Sequence, residues 1–270
     1  MIDSHIQVPK GILKNFRDPA DQTKKVWWLD IITKEIKRHP TKSLGAKSGY
    51  FSAQMEQEFN QYAENDIARF GQRIRAFCED SQDNSIFVSE KDIALSKRYI
   101  KMLVARSSLV FEKYLQSTPI TLCFSEQSNH DFSAGFALAS QGKWDAILHE
   151  RRFSLLVNYT NYHLVLPRNG FYFFECEGRD ILFAPLSPKG GILFLPKDYP
   201  EADPSYMMHI ADPDQIRRLN LHALKYEYLF HGAFVASDCQ EPLVYLKKYL
   251  QEHEQELLAF WSLGNLPTNI

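Results

Sequence analysis

A histidine three residues ahead of a Val-Pro step, an arginine inside an apolar helix pattern and a lysine-flanked tryptophan pair are the side chains of this sequence with catalytic or ligand-binding potential. His5 has an unperturbed pKa near neutrality, so it suits a general acid or base; the bland alternative is a structural role, capping the first segment or bonding a backbone carbonyl. Arg106 stands among Met102, Leu103, Val110 and Phe111, and a cation there needs an acidic or phosphate partner. Glu64 on the preceding helix is the internal candidate for that partner. One histidine and one cation are enough for metal-independent RNA cleavage, because the ribose supplies its own nucleophile.

Lys25, Trp27 and Trp28 belong to an N-terminal stretch of fifty residues with ten basic and five acidic side chains. A hairpin of that composition could contact phosphates and stack a base. Alternation along a strand would instead put one tryptophan in the core and the other on the opposite face. Asn169, in the turn Pro167-Arg168-Asn169-Gly170, could line a pocket with Tyr159, Tyr162 and His163, or that cluster could be aromatic core. Asn220 sits inside a helical pattern that disfavours asparagine, which implies a specific hydrogen bond to the backbone of the sheet or to a ligand.

The whole chain narrows these readings. It has 270 residues, 31 Lys+Arg against 33 Asp+Glu, 44% hydrophobic and 24% charged residues, and a pI near 6.5. That balance excludes a uniformly basic nucleic-acid coat and an acidic tail, and it supports a sizeable core. No apolar run reaches membrane-spanning length and the N-terminus lacks a signal-peptide core, so no membrane association is expected. Cys78, Cys123, Cys176 and Cys239 stand far apart, as reduced thiols of a cytoplasmic protein would. Motifs for NTP, dinucleotide, metalloprotease and serine-hydrolase sites are missing, and His222 and His231 are too far apart for one helical face. No metal and no cofactor is expected.

The secondary structure that holds these side chains in place follows from periodicity. A β-hairpin is expected over 25–39, ending at Pro40. An amphipathic helix is expected over 52–79, with Gly71 as its weak point, and it pairs with a second helix capped by Ser89; the pair extends over 52–117. Short helices are expected at 129–140 and 143–150. Close-spaced strands over 153–210, including His163 to Leu166, imply an antiparallel sheet. Helices over 212–262, the first opened by Asp212-Pro213, complete a single α+β domain spanning 1–270.

The run Ser4-His5-Ile6-Gln7-Val8-Pro9-Lys10-Gly11-Ile12-Leu13-Lys14-Asn15-Phe16 resembles the opening signature, His-x-Val-Pro-x-x-x-Leu-x-x-Phe, of a large prokaryotic domain-of-unknown-function family, with one extra residue before Val-Pro. The likeness continues through Val26-Trp27-Trp28-Leu29-Asp30, the helix carrying Arg106, Pro185-Leu186-Ser187-Pro188, and Leu219-Asn220 to Ala236. Where that family tends to have Ser-Asp-Asn-Pro, this chain has Pro167-Arg168-Asn169-Gly170, so a catalytic aspartate of the relatives would be replaced here by Arg168. The resemblance implies an intracellular prokaryotic effector in a phage-defence or toxin context. The expectation is therefore action on RNA or DNA as a metal-independent nuclease, with His5 and Arg106 catalytic and Lys25, Trp27, Trp28, Asn169 and Asn220 binding. The alternative is a non-catalytic module that recognises a protein partner or a small ligand.

Overall fold

The computed structural model describes residues 3–5, 8–18, 21–48, 50–79, 86–106, 126–139, 142–199, 207–229 and 234–262. In chain order its elements are β1 (Asp3–His5), α1 (Lys10–Asn15), β2 (Lys25–Asp30), β3 (Ile36–Pro40), β4 (Ala46–Ser48), α2 (Ala53–Phe59), a π-helical turn (Asn60–Glu64), α3 (Asn65–Glu79), α4 (Glu90–Arg106), α5 (Glu126–Ala139) and α6 (Gly142–His149). There follow β5 (Arg151–Asn158), β6 (Leu166–Pro167), β7 (Tyr172–Cys176), β8 (Arg179–Ser187), β9 (Gly190–Pro196), β10 (Met207–Ile210), α7 (Pro213–Leu229), β11 (Phe234–Ser237) and α8 (Glu241–Ser262). The expected α+β class is what the chain adopts. The loop at 80–85 and the part of the helical pair beyond Arg106, with Val110, Phe111 and Cys123, lie outside the described residues.

Caps start the helices where the sequence marks them. The Ser52 hydroxyl accepts from the Met55 amide at 3.1 Å, and α2, the π turn and α3 then run on as one helical stretch. Ser89 and Asp92 cap α4 reciprocally, the Asp92 amide donating to Ser89 Oγ at 3.2 Å and the Ser89 amide to Asp92 Oδ2 at 2.9 Å. Asp212 Oδ1 accepts from the Asp214 amide at 2.9 Å at the head of α7. The buried stripe Ile67, Phe70 and Ile74 lays α3 on β8 and β9.

The five-stranded sheet has the order β10-β5-β9-β8-β7, and the four-stranded sheet β3-β2-β11-β6. Two expectations need correction. The first sheet is not wholly antiparallel, because β10 pairs in parallel with β5. β10 lies on the far side of β5 from β9 and runs opposite to β9, in the same direction as β5. The 25–39 hairpin forms as expected, and β2 is in addition an inner strand that pairs with β11. The strand expected from His163 to Leu166 shrinks to Leu166–Pro167, because the Asn220 side chain takes the His163 carbonyl and the Val165 amide at 2.8 and 2.9 Å.

The N-terminal signature is a packing motif in this structure. Val8, Ile12, Leu13 and Phe16 are buried, and α1 sits against α3 and β8. The Asn15 side chain joins the layers, donating to the carbonyls of Ala68 at 3.1 Å and Leu186 at 3.0 Å. Gly71 therefore is no weak point: a Cβ there would stand 2.6 Å from Asn15 Nδ2 and 2.7 Å from the Leu186 oxygen. Gly71→Ala is expected to destabilise by about 1–3 kcal/mol through overpacking, outweighing the roughly 1 kcal/mol that alanine gains in a helix. Urea denaturation checks this, and a more stable variant would contradict the close approach.

Candidate functional site

The structure sends the expected site residues to different partners. His5 lies in β1 with its backbone paired to Ala46. Trp27 lies beneath the Arg38 guanidinium, 4.9 Å from the ring centroid, while Trp28 packs edge-on against His39 and Phe234. The hairpin cations hold carboxylates: Arg38 pairs with Asp18 at 2.7 Å and Asp21 at 3.0 Å, Lys34 with Glu254 at 2.6 Å, and Lys37 with Glu35. Lys25, half-buried in β2, stands opposite Pro40 of β3. Three of the ten N-terminal cations, all in the hairpin, are thus paired with carboxylates.

Arg106 is buried to 1% exposure, with its guanidinium on Glu64 and on Glu56 at 3.1 Å and lying 4.1 Å from the Phe59 ring centroid. Burial pushes the Glu64 carboxyl above its ordinary range, and Arg106 is the charge that opposes this. Glu64, the internal partner that the sequence offers, and Glu56 hold this cation. Asn169 is also sealed in. Its backbone N–H donates to Glu227 Oε1 at 2.7 Å, and burial pushes the Glu227 carboxyl up to about 8.

Asn220 does reach a cluster with chemical capacity. It holds the backbone on both sides of Leu164, at the His163 carbonyl and the Val165 amide, and so fixes the segment that carries the His163 ring beside Asp238 and Cys239. His163 Nδ1 lies 2.8 Å from Asp238 Oδ1 and 3.6 Å from Cys239 Sγ. Asp238 accepts from Nδ1–H, a tautomer that leaves Nε2 as the ring's acceptor. Burial pushes the Cys239 thiol up to about 12, with Asp238 adding to the effect, so the sulfur is protonated at neutral pH and is no ready nucleophile. An open cleft of about 720 Å³ lies alongside, lined by Tyr162, Arg217, Gln240, Val244 and Tyr245 among others.

A second feature lies between α3 and α4. Arg69 and Arg73 of α3 face Lys91 and Arg98 of α4 across a groove of about 630 Å³, floored by Phe70 and Leu95 and holding the acids Asp66 and Asp92. Arg73 pairs with Asp92 at 3.1 Å and Arg69 with Asp66 at 3.7 Å, whereas among the described residues neither Lys91 nor Arg98 has an ion-pair partner. At the rim, Arg73 Nη2 donates to the Phe87 carbonyl at 2.9 Å, and the Phe87 side chain is 80% exposed. Sequence reasoning missed both features. The groove cations recur at four- and seven-residue spacing on the two helices, a signal obscured by the neighbouring acids Asp66 and Asp92. No helix among the described residues is long and apolar enough to cross a membrane.

Comparison with known proteins finds no matching family model, curated protein or solved structure. The functional reading therefore rests on the fold and on these two sites.

Proposed function

We propose that the chain is a nucleic-acid effector that engages a single strand in the groove between α3 and α4. The observation that carries this reading is the grouping of Arg69, Arg73, Lys91 and Arg98 in one groove, with the exposed Phe87 tied to Arg73 through its backbone carbonyl. Such cations track phosphates, and an exposed ring offers a sequence-tolerant platform for a base. The docking role passes from the Trp27–Trp28 hairpin to this groove because Arg38 lies over Trp27 and three of the four hairpin cations hold carboxylates, whereas Lys91 and Arg98 of the groove hold none among the described residues. Strand cleavage, in a phage-defence or toxin setting, is the activity this reading proposes for the effector, with Arg106 left out of the chemistry.

Fluorescence anisotropy with labelled single-stranded RNA and DNA tests it. A four-phosphate contact gives log Kobs against log salt a slope of about −3, and Arg69→Glu with Arg98→Glu reduces its magnitude by about 1.4. Binding that is insensitive to both charge reversals would refute the groove. A second reading, recognition of a protein or small ligand, is favoured by the cleft with the exposed Val244 and Tyr245. A ligand-induced thermal shift in a protein that binds no strand would select it.

A further inference from the structure

Asp238 and Cys239 follow β11 at the head of α8, and His163 precedes β6, 75 residues earlier in the chain than Asp238. The fold brings one imidazole nitrogen, one carboxylate oxygen and one sulfur within 4.8 Å of one another. We propose that His163, Asp238 and Cys239 bind one divalent transition-metal ion, with zinc the best fit to their donor set. This site shares no residue with the α3–α4 groove and does not rest on strand binding.

The two separations to His163 are close to those of a metal site, and the widest in the cluster, up to 4.8 Å, closes by about 1 Å on binding. Zinc bonds of about 2.3 Å to sulfur and about 2.0 Å to nitrogen place those two atoms about 3.6 Å apart in a tetrahedron, and Cys239 Sγ and His163 Nδ1 are 3.6 Å apart. The His163–Asp238 separation of 2.8 Å is that of a hydrogen bond, which opens by about 0.5 Å as the ion replaces the shared proton. The buried carboxylate supplies an independent observation. Asp238 is 1% exposed, and its Oδ2 has no hydrogen-bond partner among the described residues. An orphaned oxygen of this kind calls for a cation or a donor.

The proton balance is simple. The ring proton moves from Nδ1 to Nε2, the Cys239 thiol releases its proton to solvent, and the sulfur lone pair forms the metal bond. Three protein ligands leave a fourth position for water, as in catalytic zinc sites. Asn220 acts here as a positioning residue, holding the backbone that carries His163.

Cobalt(II) titration of the full chain, stripped of metal with a chelator, tests the site. The expected result is one cobalt per chain, with tetrahedral visible bands and a thiolate-to-cobalt charge-transfer band, both displaced by zinc. Cys239→Ser should abolish the charge-transfer band, while Cys78→Ser, Cys123→Ser and Cys176→Ser keep it. Asp238→Asn, nearly isosteric, should weaken binding by at least about tenfold and provides a second variant if the serine variant fails to fold. Cobalt binding without a thiolate band, or a band that survives Cys239→Ser, would overturn the proposal. Strand binding by anisotropy is measured separately, so failure of either reading leaves the other measurable.

Discussion

Replacing Arg106 with alanine is expected to lower the unfolding free energy by about 3–5 kcal/mol, the range for removing one partner of a buried ion pair. Two carboxylates, Glu56 and Glu64, would face each other with no cation between them, and the rings of Phe51 and Phe59 would lose the guanidinium that covers them. The loss should grow with pH. Without Arg106 the native state holds a proton on Glu64 that the unfolded chain gives up above its ordinary carboxyl pKa, so rising pH favours unfolding. Arg106→Met combined with Glu56→Gln and Glu64→Gln should recover most of the stability, because it removes the charges together. Urea denaturation at two pH values reads the whole series. An Arg106→Ala protein as stable as the parent would show that the cation is available for a ligand after all.

Glu227→Gln is expected to change the pH dependence of stability. The parent carboxyl, buried with a pKa of about 8, keeps its proton in the native state, whereas the unfolded chain loses it near 4.5. Its contribution is fully present below the unfolded value and is lost as pH rises through the window to about 8. Within that window the loss is up to about 1.4 kcal/mol per pH unit. Glutamine keeps an oxygen to accept from the Asn169 amide and has no proton to lose. The difference in stability between variant and parent should therefore move steadily in the variant's favour across the same window. A difference that stays constant would mean that Glu227 is ionised in the folded protein throughout.

Local signals made much of the fold legible. Ser52, Ser89 and Asp212-Pro213 mark helix starts by side-chain hydrogen bonds or a fixed φ, and these depend on neighbours in sequence. The β2–β3 hairpin and the strands from β7 to β9 likewise announce themselves by alternation and turns. What escaped is nonlocal or short. The six-residue α1, with Gly11 inside it, is too brief for helical periodicity to register. The four-residue β11 places β2 inside a sheet, and only tertiary pairing reveals that. Arg106's ion pair with Glu64 was readable because both stand on apolar helical stripes. The His163–Asp238–Cys239 cluster was not, since His163 is far from the other two in sequence and no spacing rule links them.

The proposed function is best probed by comparing groove and hairpin in one anisotropy experiment on a labelled single-stranded RNA. Arg69→Glu with Arg98→Glu and, separately, Phe87→Ala alter the groove and its rim, while Lys25→Glu alters the hairpin. Binding by the groove variants should weaken by at least about tenfold, with Lys25→Glu close to the parent. Full binding by the groove variants, with loss in the hairpin variant, would return the docking role to the hairpin and rule the groove out.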